Sequence, residues 1–330
     1  MQAIIPLAGK GTRVRPHTYS RPKPLLRVAN RPVLSHVTDL LVQAGVEELI
    51  CITGHLADQV EAFLDREYPA VGKRYVAQLE QNGTADAVRL AEPFVEGPVL
   101  IVFVDTLFDA DLSLIHRRPE EAGIIWVQEV EDYRRFGVIV TDGEGYMRRI
   151  VEKPREPISR LANIGLQYVR EHELLFEGIR EVMAGEPRLG EYFLTDAFQY
   201  MVDNGARILT DRVTGWWDCG KPETLLETNR ALLERGWARG PVGGNEARVT
   251  PPVCVAEGVE LEEVEIGPNV SLAERASVVR SRLRDCIVGK GARIVGSDLY
   301  ASLIGDEATV SGVSGRVNVG DHSQVEGERG

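Results

Sequence analysis

Lysine is scarce in this chain of 330 residues. Of its 38 basic residues only six are lysines (Lys10, Lys23, Lys73, Lys153, Lys221 and Lys290), so a lysine is a mild marker wherever it falls. Cysteine is scarcer. Cys51, Cys219, Cys254 and Cys286 lie far apart, with no C-x-x-C spacing and no companion histidine cluster. That argues against a disulfide framework or a zinc site and for free thiols. The longest unbroken apolar run, Val99–Val104, is too short to span a bilayer. No basic segment precedes an apolar stretch at the start, so no signal peptide is read and a cytoplasmic location is expected. Nor does the chain offer a convincing Ser-His-Asp or Cys-His arrangement for nucleophilic catalysis. Acid is missing from the head of the chain: Lys10, Arg13, Arg15, Arg21, Lys23, Arg27 and Arg31 all precede Asp39, the first carboxylate. Residues 1–38 therefore carry +7 in a protein of net charge −12. The overall acidity argues against nucleic acid or a membrane surface as partner. Seven cations without one carboxylate would repel one another unless an anion sits among them, so this end is either a displayed tail or an anion site.

What is present reads as an ordinary globular protein, 43% apolar and 27% charged, long enough for two domains. Up to about residue 235, apolar runs at Ala3–Leu7, Glu48–Thr53, Val99–Val104 and Gly123–Val130 predict strands buried on both faces. Helices are predicted over Pro32–Ala44, Ala57–Asp65 and Thr84–Ala91, and later near 172–183, 195–203 and 222–235. Further strands are predicted at Val138–Thr141, Arg148–Glu152 and Ile164–Val169. Such β-α-β alternation implies a largely parallel sheet covered by helices. Residues 236–252, rich in glycine and proline, read as a linker. Beyond it, Ile266-Gly267, Val288-Gly289, Ile304-Gly305 and Val319-Gly320 recur at intervals of 22, 16 and 15 residues, with Val270, Ala292, Ala308 and Ser323 four places on. That spacing predicts a hexapeptide-type β-helix; an antiparallel β domain with several Val-Gly turns is the alternative.

Several segments carry residues suited to chemistry. The first strand runs into Leu7-Ala8-Gly9-Lys10-Gly11-Thr12-Arg13, where two glycines allow close backbone approach to a phosphate and Lys10 and Arg13 add positive field. The spacing is neither that of a Walker A loop nor that of a dinucleotide fingerprint. Prolines at 16, 22 and 24 stiffen the continuation and hold Lys23 in an extended segment. Asp105 ends the most apolar strand, where open α/β sheets bind ligands, and Asp218 follows Trp216-Trp217; either could instead be a turn or cap residue. Brought together, the two could hold one Mg²⁺, which needs only one or two protein carboxylates. Glu152 and Asn163 could bind sugar hydroxyls, with Lys153 on a phosphate. Gln78 and Gln81 offer amides to a base edge, beside Gly83, Thr84 and Ala85.

Taken in order, Leu-Ala-Gly-x-Gly-Thr-Arg-x-x-Pro, Arg-Pro-Lys-Pro, Gln-x-Gly-Thr-Ala, the strand-end Asp105, Val-Glu-Lys-Pro, Asn-x-Gly and Trp-x-Asp-x-Gly-Lys resemble the sugar-1-phosphate nucleotidyltransferases. The likeness is closest to the long-form glucose-1-phosphate thymidylyltransferases. It implies an α/β fold: a Rossmann-like mixed, mostly parallel sheet covered by helices, followed by a short C-terminal left-handed β-helix. The implied domains are catalytic over 1–235, linker over 236–252 and β-helix over 253–330. In that family a sugar 1-phosphate attacks the α-phosphorus of a nucleoside triphosphate and pyrophosphate leaves. Carried over, Leu7, Ala8, Gly9, Gly11, Thr12 and Arg13 would cradle the triphosphate, and Lys23 would neutralise the reacting phosphates. Gln78, Gly83 and Thr84 would hold the base, and Gly137, Glu152 and Asn163 the sugar, with Lys153 on its phosphate. Asp105 and Asp218 would bind Mg²⁺.

The resemblance implies dTTP or UTP with glucose 1-phosphate as substrates, and a homo-oligomer. Three departures leave base and sugar open: Val104-Asp105-Thr106 lacks the usual glycine before the aspartate, Gln81–Ala85 is similar to uridylyltransferases, and Asp218 follows Trp217 directly. Two other readings were weighed, a catalytically silent nucleotide-sugar sensor and an acyltransferase using the β-helix. The second lacks histidines, since His322 is the only one after His172.

Overall fold

A computed structural model describes residues 1–240 and 247–327. In chain order the elements begin β1 (Gln2–Pro6), β2 (Arg27–Val28), β3 (Arg31–Pro32), α1 (Val33–Gln43), β4 (Glu48–Thr53) and α2 (Ala57–Glu67). They continue β5 (Gly72–Ala77), α3 (Thr84–Arg89), β6 (Val99–Val102), β7 (Thr106–Asp109), α4 (Leu114–Arg117) and β8 (Gly123–Glu129). Then follow β9 (Gly137–Thr141), β10 (Met147–Glu152), β11 (Leu161–Val169), α5 (His172–Ala184), α6 (Leu194–Asp203), β12 (Ile208–Arg212), β13 (Gly215–Asp218) and α7 (Pro222–Leu232). The chain divides into two compact units: Met1–Gly9 with Val37–Trp216, and Lys10–His36 with Trp217 onward. The cut runs through the sequence differently from the change in composition near residue 236, because the basic segment at the head of the chain packs with the C-terminal part.

The first unit is built on one mixed sheet, ordered β10-β9-β11-β6-β1-β4-β5, with β8 beside β11 and β12 beside β8. Its centre is parallel: β6, β1, β4 and β5 run the same way. β11 is antiparallel to β6, β8 and β9. Strands covered on both faces need aliphatic side chains throughout. Ile4, Ile5, Ile50, Ile52, Leu100 and Ile101 accordingly have no exposed surface. Helices α3, α5 and α6 cover the sheet through Val88, Leu175, Ile179, Phe198 and Met201. Two strands without a sequence signal, β5 and β12, lie at edges of the sheet.

In the second unit, residues 247–327 form the left-handed β-helix. Every pair of strands in it is parallel, and successive coils are offset by about one hexapeptide triplet, as Arg282 with Asp298 and Ser277 with Arg293 illustrate. Each coil sends aliphatic side chains inward, among them Val278, Leu283, Ile294, Leu299 and Val310, all with no exposed surface. The glycine at the repeated corner is dictated by stacking. A Cβ built at Gly305 would stand 2.3 Å from the carbonyl carbon of Gly320 in the next coil. The first coil starts earlier than composition suggested: Ala247–Val249 pairs with Val264–Ile266 inside the stretch read as linker. Pro251 and Pro252 mark a corner there, and Thr250 N donates to the Ile266 carbonyl at 2.8 Å. The remainder of that expected linker, 241–246, lies outside the described residues.

Because Leu299 is fully enclosed by the neighbouring coils, Leu299→Ala should lower stability by about 2–5 kcal/mol. Urea titration followed by circular dichroism checks this, and an unshifted midpoint would show that the coil interior contributes little.

Candidate active site

Within the first unit the site is assembled at the C-terminal ends of the parallel strands. β1 delivers Leu7, Ala8 and Gly9. Leu7 N donates to the Ile52 carbonyl at 2.7 Å, and the Ala8 carbonyl accepts from Gln81 Nε2 at 2.6 Å, so this loop is tied to the segment that precedes α3. Gly83 has φ +120° and a Cβ there would fall 2.3 Å from the Tyr192 carbonyl, so only glycine fits. Gln78 is buried and donates through Nε2 to Asp86 at 3.0 Å. Asp105 occupies the turn between β6 and β7, half-buried. That turn is fixed from β11, where a break in register between Asn163 and Gln167 accompanies Gly165 at φ +82°. Phe103 N donates to the Gly165 carbonyl at 2.9 Å, and Thr106 Oγ1 to the Ile164 carbonyl at 3.2 Å. Asn163 Oδ1 accepts from Gly165 N at 3.0 Å and from Gln167 Nε2 at 2.7 Å, which fixes the orientation of its amide.

Three of the residues expected on the sugar side, Gly137, Glu152 and Lys153, lie together. Gly137 is buried against Glu152, and a Cβ on it would lie 2.9 Å from Glu152 Oε2 and 2.7 Å from Thr195 Cγ2. Lys153 Nζ stands 3.8 Å from Glu152 Oε1 and 4.9 Å above the Phe193 ring. Burial pushes the Glu152 carboxyl above its ordinary range, against the opposing pull of Lys153, Thr195 and Arg188.

Four consecutive residues, Tyr192–Thr195, join the two halves of this unit's site. Tyr192 N donates to the Asn82 carbonyl at 2.7 Å, and its own carbonyl accepts from Ala85 N at 3.0 Å. Leu194 N donates to Thr84 Oγ1 at 2.9 Å, while Thr195 Oγ1 donates to Glu152 Oε2 at 3.4 Å. Arg188 lies 5.1 Å over the Phe193 ring and donates to the Glu152 carbonyl at 3.2 Å. The sequence reading missed this segment and Arg188. Their one visible signal is an aromatic pair, Tyr192-Phe193, in an otherwise polar stretch.

Within the second unit, Gly11 (φ +59°) opens the turn Thr12–Val14 and packs under Thr18 and Lys23, whose Cγ2 and Cβ each lie 3.0 Å from where a Cβ would stand. Thr18 Oγ1 donates to the Gly11 carbonyl at 2.8 Å. Thr12 and Arg13 are exposed. Asp218 is half-buried: Oδ1 accepts from Gly220 N at 2.7 Å and its carbonyl accepts from Thr228 Oγ1 at 2.9 Å. The space that a side chain on Gly220 would need is taken by Asp218 Oδ1 (2.7 Å) and Arg13 Nη2 (3.6 Å). Arg13 and Asp218 are thus brought together around that glycine.

The expectation that all seven head-of-chain cations need an anionic ligand is corrected here. Arg21 pairs with Asp306 and Asp321, and Arg27 with Glu274 at 2.8 Å. Arg15 lies over Tyr19 and Arg31 over Trp237. Counter-charges separated by 285 residues in sequence are invisible to a local charge count. Lys10, Arg13 and Lys23 are the cations of this stretch that its motifs direct to phosphate.

Residues 2–235 match the family model described as Nucleotidyl transferase, and the chain belongs to that family. It is therefore an enzyme of the nucleotidyltransferase class. Among similar proteins, UTP–glucose-1-phosphate uridylyltransferase AglF of Haloferax volcanii is 32% identical over 240 residues, 71% of this chain and 97% of that protein. Glucose-1-phosphate thymidylyltransferase of Streptomyces antibioticus is 31% identical over 360 aligned positions, covering 99% of each. In structure, a UDP-glucose pyrophosphorylase complexed with UDP-glucose superposes with a TM-score of 0.64 at 24% identity, over 71% of this chain and 98% of that one, a likeness of fold.

A raised carboxyl pKa sets the sign of a stability effect. The ionised form of Glu152 is disfavoured by folding, so its contribution is best below the ordinary value of 4.5 and is lost as pH rises through the raised folded value. Glu152→Gln should therefore melt higher than the parent at pH 7, with the difference closing at pH 4. Thermal melts at both values check it; an equal or larger gain at pH 4 would reverse the assignment.

Proposed function

We propose that this protein transfers a nucleoside monophosphate from dTTP or UTP to a hexose 1-phosphate, glucose 1-phosphate foremost, releasing pyrophosphate. The observation that carries the reading is the Tyr192–Thr195 segment. It holds the loop assigned to the base and the Glu152–Lys153 pair assigned to the sugar phosphate, the two ends of a nucleotide sugar. Family membership and the names of the relatives from Haloferax volcanii and Streptomyces antibioticus support the substrate class.

In this reading an ionised oxygen of the sugar phosphate forms a bond to the α-phosphorus, and the α–β bridging P–O bond breaks in line. The electron pair leaves with pyrophosphate. No protein nucleophile or general base is needed, because the attacking oxygen is already ionised at neutral pH. The obstacle is repulsion between two polyanions and their alignment, which placed cations and backbone N–H groups lower. Arg13 meets the charge that develops on the departing pyrophosphate, and Lys23 the reacting phosphates. Lys153 holds the phosphate of the sugar, with Arg188 beside it over the same ring. Glu152 and Asn163 take sugar hydroxyls. Asn163, whose carbonyl oxygen already accepts two N–H groups, presents its NH₂ as donor. Gly83 lets the base lie on the backbone.

Asp105 and Asp218 are assigned to Mg²⁺. Both are half-buried carboxylates, hard oxygen donors of the kind that suit this ion when phosphate oxygens and water complete its shell. An Mg²⁺ held by these carboxylates would supply Lewis-acid neutralisation of phosphate oxygen charge.

A pyrophosphate-release assay across dTTP, UTP, ATP, GTP and CTP with several sugar phosphates tests the reading. Release is expected with dTTP or UTP and glucose 1-phosphate, and its loss on adding EDTA should be reversed by excess Mg²⁺. Asp105→Asn and Asp218→Asn should each cut turnover by on the order of 10³-fold while leaving the circular dichroism spectrum unchanged. No release with any pair would favour a nucleotide-sugar-sensing protein of the same fold.

A further inference from the structure

The basic loop and the β-helix meet through polar groups that the repeat itself does not require. At two successive corners of the helix, one oxygen of an aspartate closes coil on coil. Asp306 Oδ1 accepts from Lys290 N at 2.8 Å, and Asp321 Oδ1 accepts from Asp306 N at 2.7 Å. The second oxygen of each reaches the loop. Asp306 Oδ2 accepts from Arg21 Nη2, and Asp321 Oδ2 accepts from Ser20 Oγ at 2.8 Å and pairs with Arg21 at 3.5 Å. Beside them His17 Nε2 donates to Asn318 Oδ1 at 2.6 Å, and Pro16 abuts Gly320.

Earlier corner glycines are not followed by aspartate: Pro268 follows Gly267, and Lys290 follows Gly289. Aspartate follows the corner glycine at Gly305-Asp306 and Gly320-Asp321, where the loop lands. Arg21 and its neighbours are also the stiff part of that loop. Arg21 stands two residues before Lys23, and Thr18 and Lys23 both pack on Gly11, which opens the turn carrying Arg13. Contacts therefore run from Arg21 through Lys23 and Gly11 to the turn that carries Arg13.

We propose that the last coils of the β-helix position the triphosphate loop, with Arg21 as the positioning residue and Asp306 and Asp321 as its anchors. The β-helix then serves catalysis without touching substrate, and the loop's order depends on coils about 300 residues away in sequence. This rests on the reading that Arg13 and Lys23 engage nucleotide phosphates.

The double variant Asp306→Asn/Asp321→Asn of the full chain separates the two jobs of these carboxylates. Asparagine keeps the Oδ1 acceptor that closes the coils and places an NH₂ donor against the Arg21 guanidinium. KM for the nucleoside triphosphate should rise roughly 10- to 100-fold, with KM for the sugar phosphate unchanged, since losing one charge-assisted hydrogen bond to phosphate costs about that much in binding. Arg21→Lys should lose less than Arg21→Gln. A folded double variant with the parent's KM for nucleotide, or with kcat lowered and both KM values unchanged, would overturn the proposal. Should the double variant not fold, Asp321→Asn alone and the Arg21 pair decide it, a normal nucleotide KM in Arg21→Gln being the refuting result. Equilibrium dialysis with dTTP and UTP on the same proteins keeps this distinct from the activity: a parent that binds nucleotide but never turns over refutes the enzyme reading alone, and weakened binding in the variants still supports positioning.

Discussion

Arg21 lies between two aspartates that follow it by about 300 residues, and the order of the whole basic loop hangs on that meeting of charges. A loop with seven cations and no acid of its own is self-repelling, and each cation left unmatched would favour an extended, solvated chain. The match is made largely from outside the segment: Asp306 and Asp321 on Arg21, Glu274 on Arg27 and the Trp237 ring under Arg31, with Tyr19 of the segment itself under Arg15. Arg21 and its two partners are each four-fifths or more enclosed, so water screens these pairs less than it would a surface bridge. Hydrogen bonds to charged groups contribute about 1.5–3 kcal/mol each, so these pairs add materially to the packing that holds the loop on the β-helix. The remaining cations can then be presented to phosphate without the loop having to be ordered by the ligand itself.

The same division explains what could be read from the sequence. β1, β4, β6 and β8 were legible because strands covered on both faces must be continuous aliphatic runs, and helices α1 to α3 because their periodic apolar faces end at glycine or polar turns. β5 escaped notice: its alternation of half-buried and exposed residues, with Lys73 and Arg74 in it, is what an edge strand needs to discourage further pairing. β12 sits at another edge, paired along its length with β8 and bridged to Tyr146 through Leu209. Of the site, the glycines were legible, since Gly83 and Gly137 stand where backbone or a carboxylate approaches too closely for a Cβ. Arg188 and the Tyr192–Thr195 segment were not, because hydrogen bonds made by main-chain N–H and carbonyl groups leave no residue preference behind. The counter-charges of the loop were hidden for a third reason. They are ordinary turn aspartates in a repeat, and only the fold brings Arg21 to them.

The sugar side of the site meets the opposite electrostatic problem. There the carboxylate of Glu152 is the desolvated group, held in its acceptor role by Lys153, Thr195 and the nearby Arg188 against the pull of burial. A carboxylate that is costly to ionise gains more from each hydrogen bond it accepts, so sugar hydroxyls arriving there repay part of a desolvation already spent in folding. Lys153 and Arg188 both lie over the Phe193 ring, and each also pairs with a carboxylate, Glu152 at 3.8 Å and Asp196 at 2.7 Å. In the proposed reading the phosphate of the sugar would lie against these cations, leaving Glu152 to the sugar ring. The two sets of charges are thus matched differently: cations of the head-of-chain loop by carboxylates of the β-helix, and Lys153 and Arg188 by Glu152 and Asp196 of their own unit. In the proposed reading, transfer between two polyanions draws on both, since a loop held in place serves alignment and cations beside a buried carboxylate serve charge stabilisation.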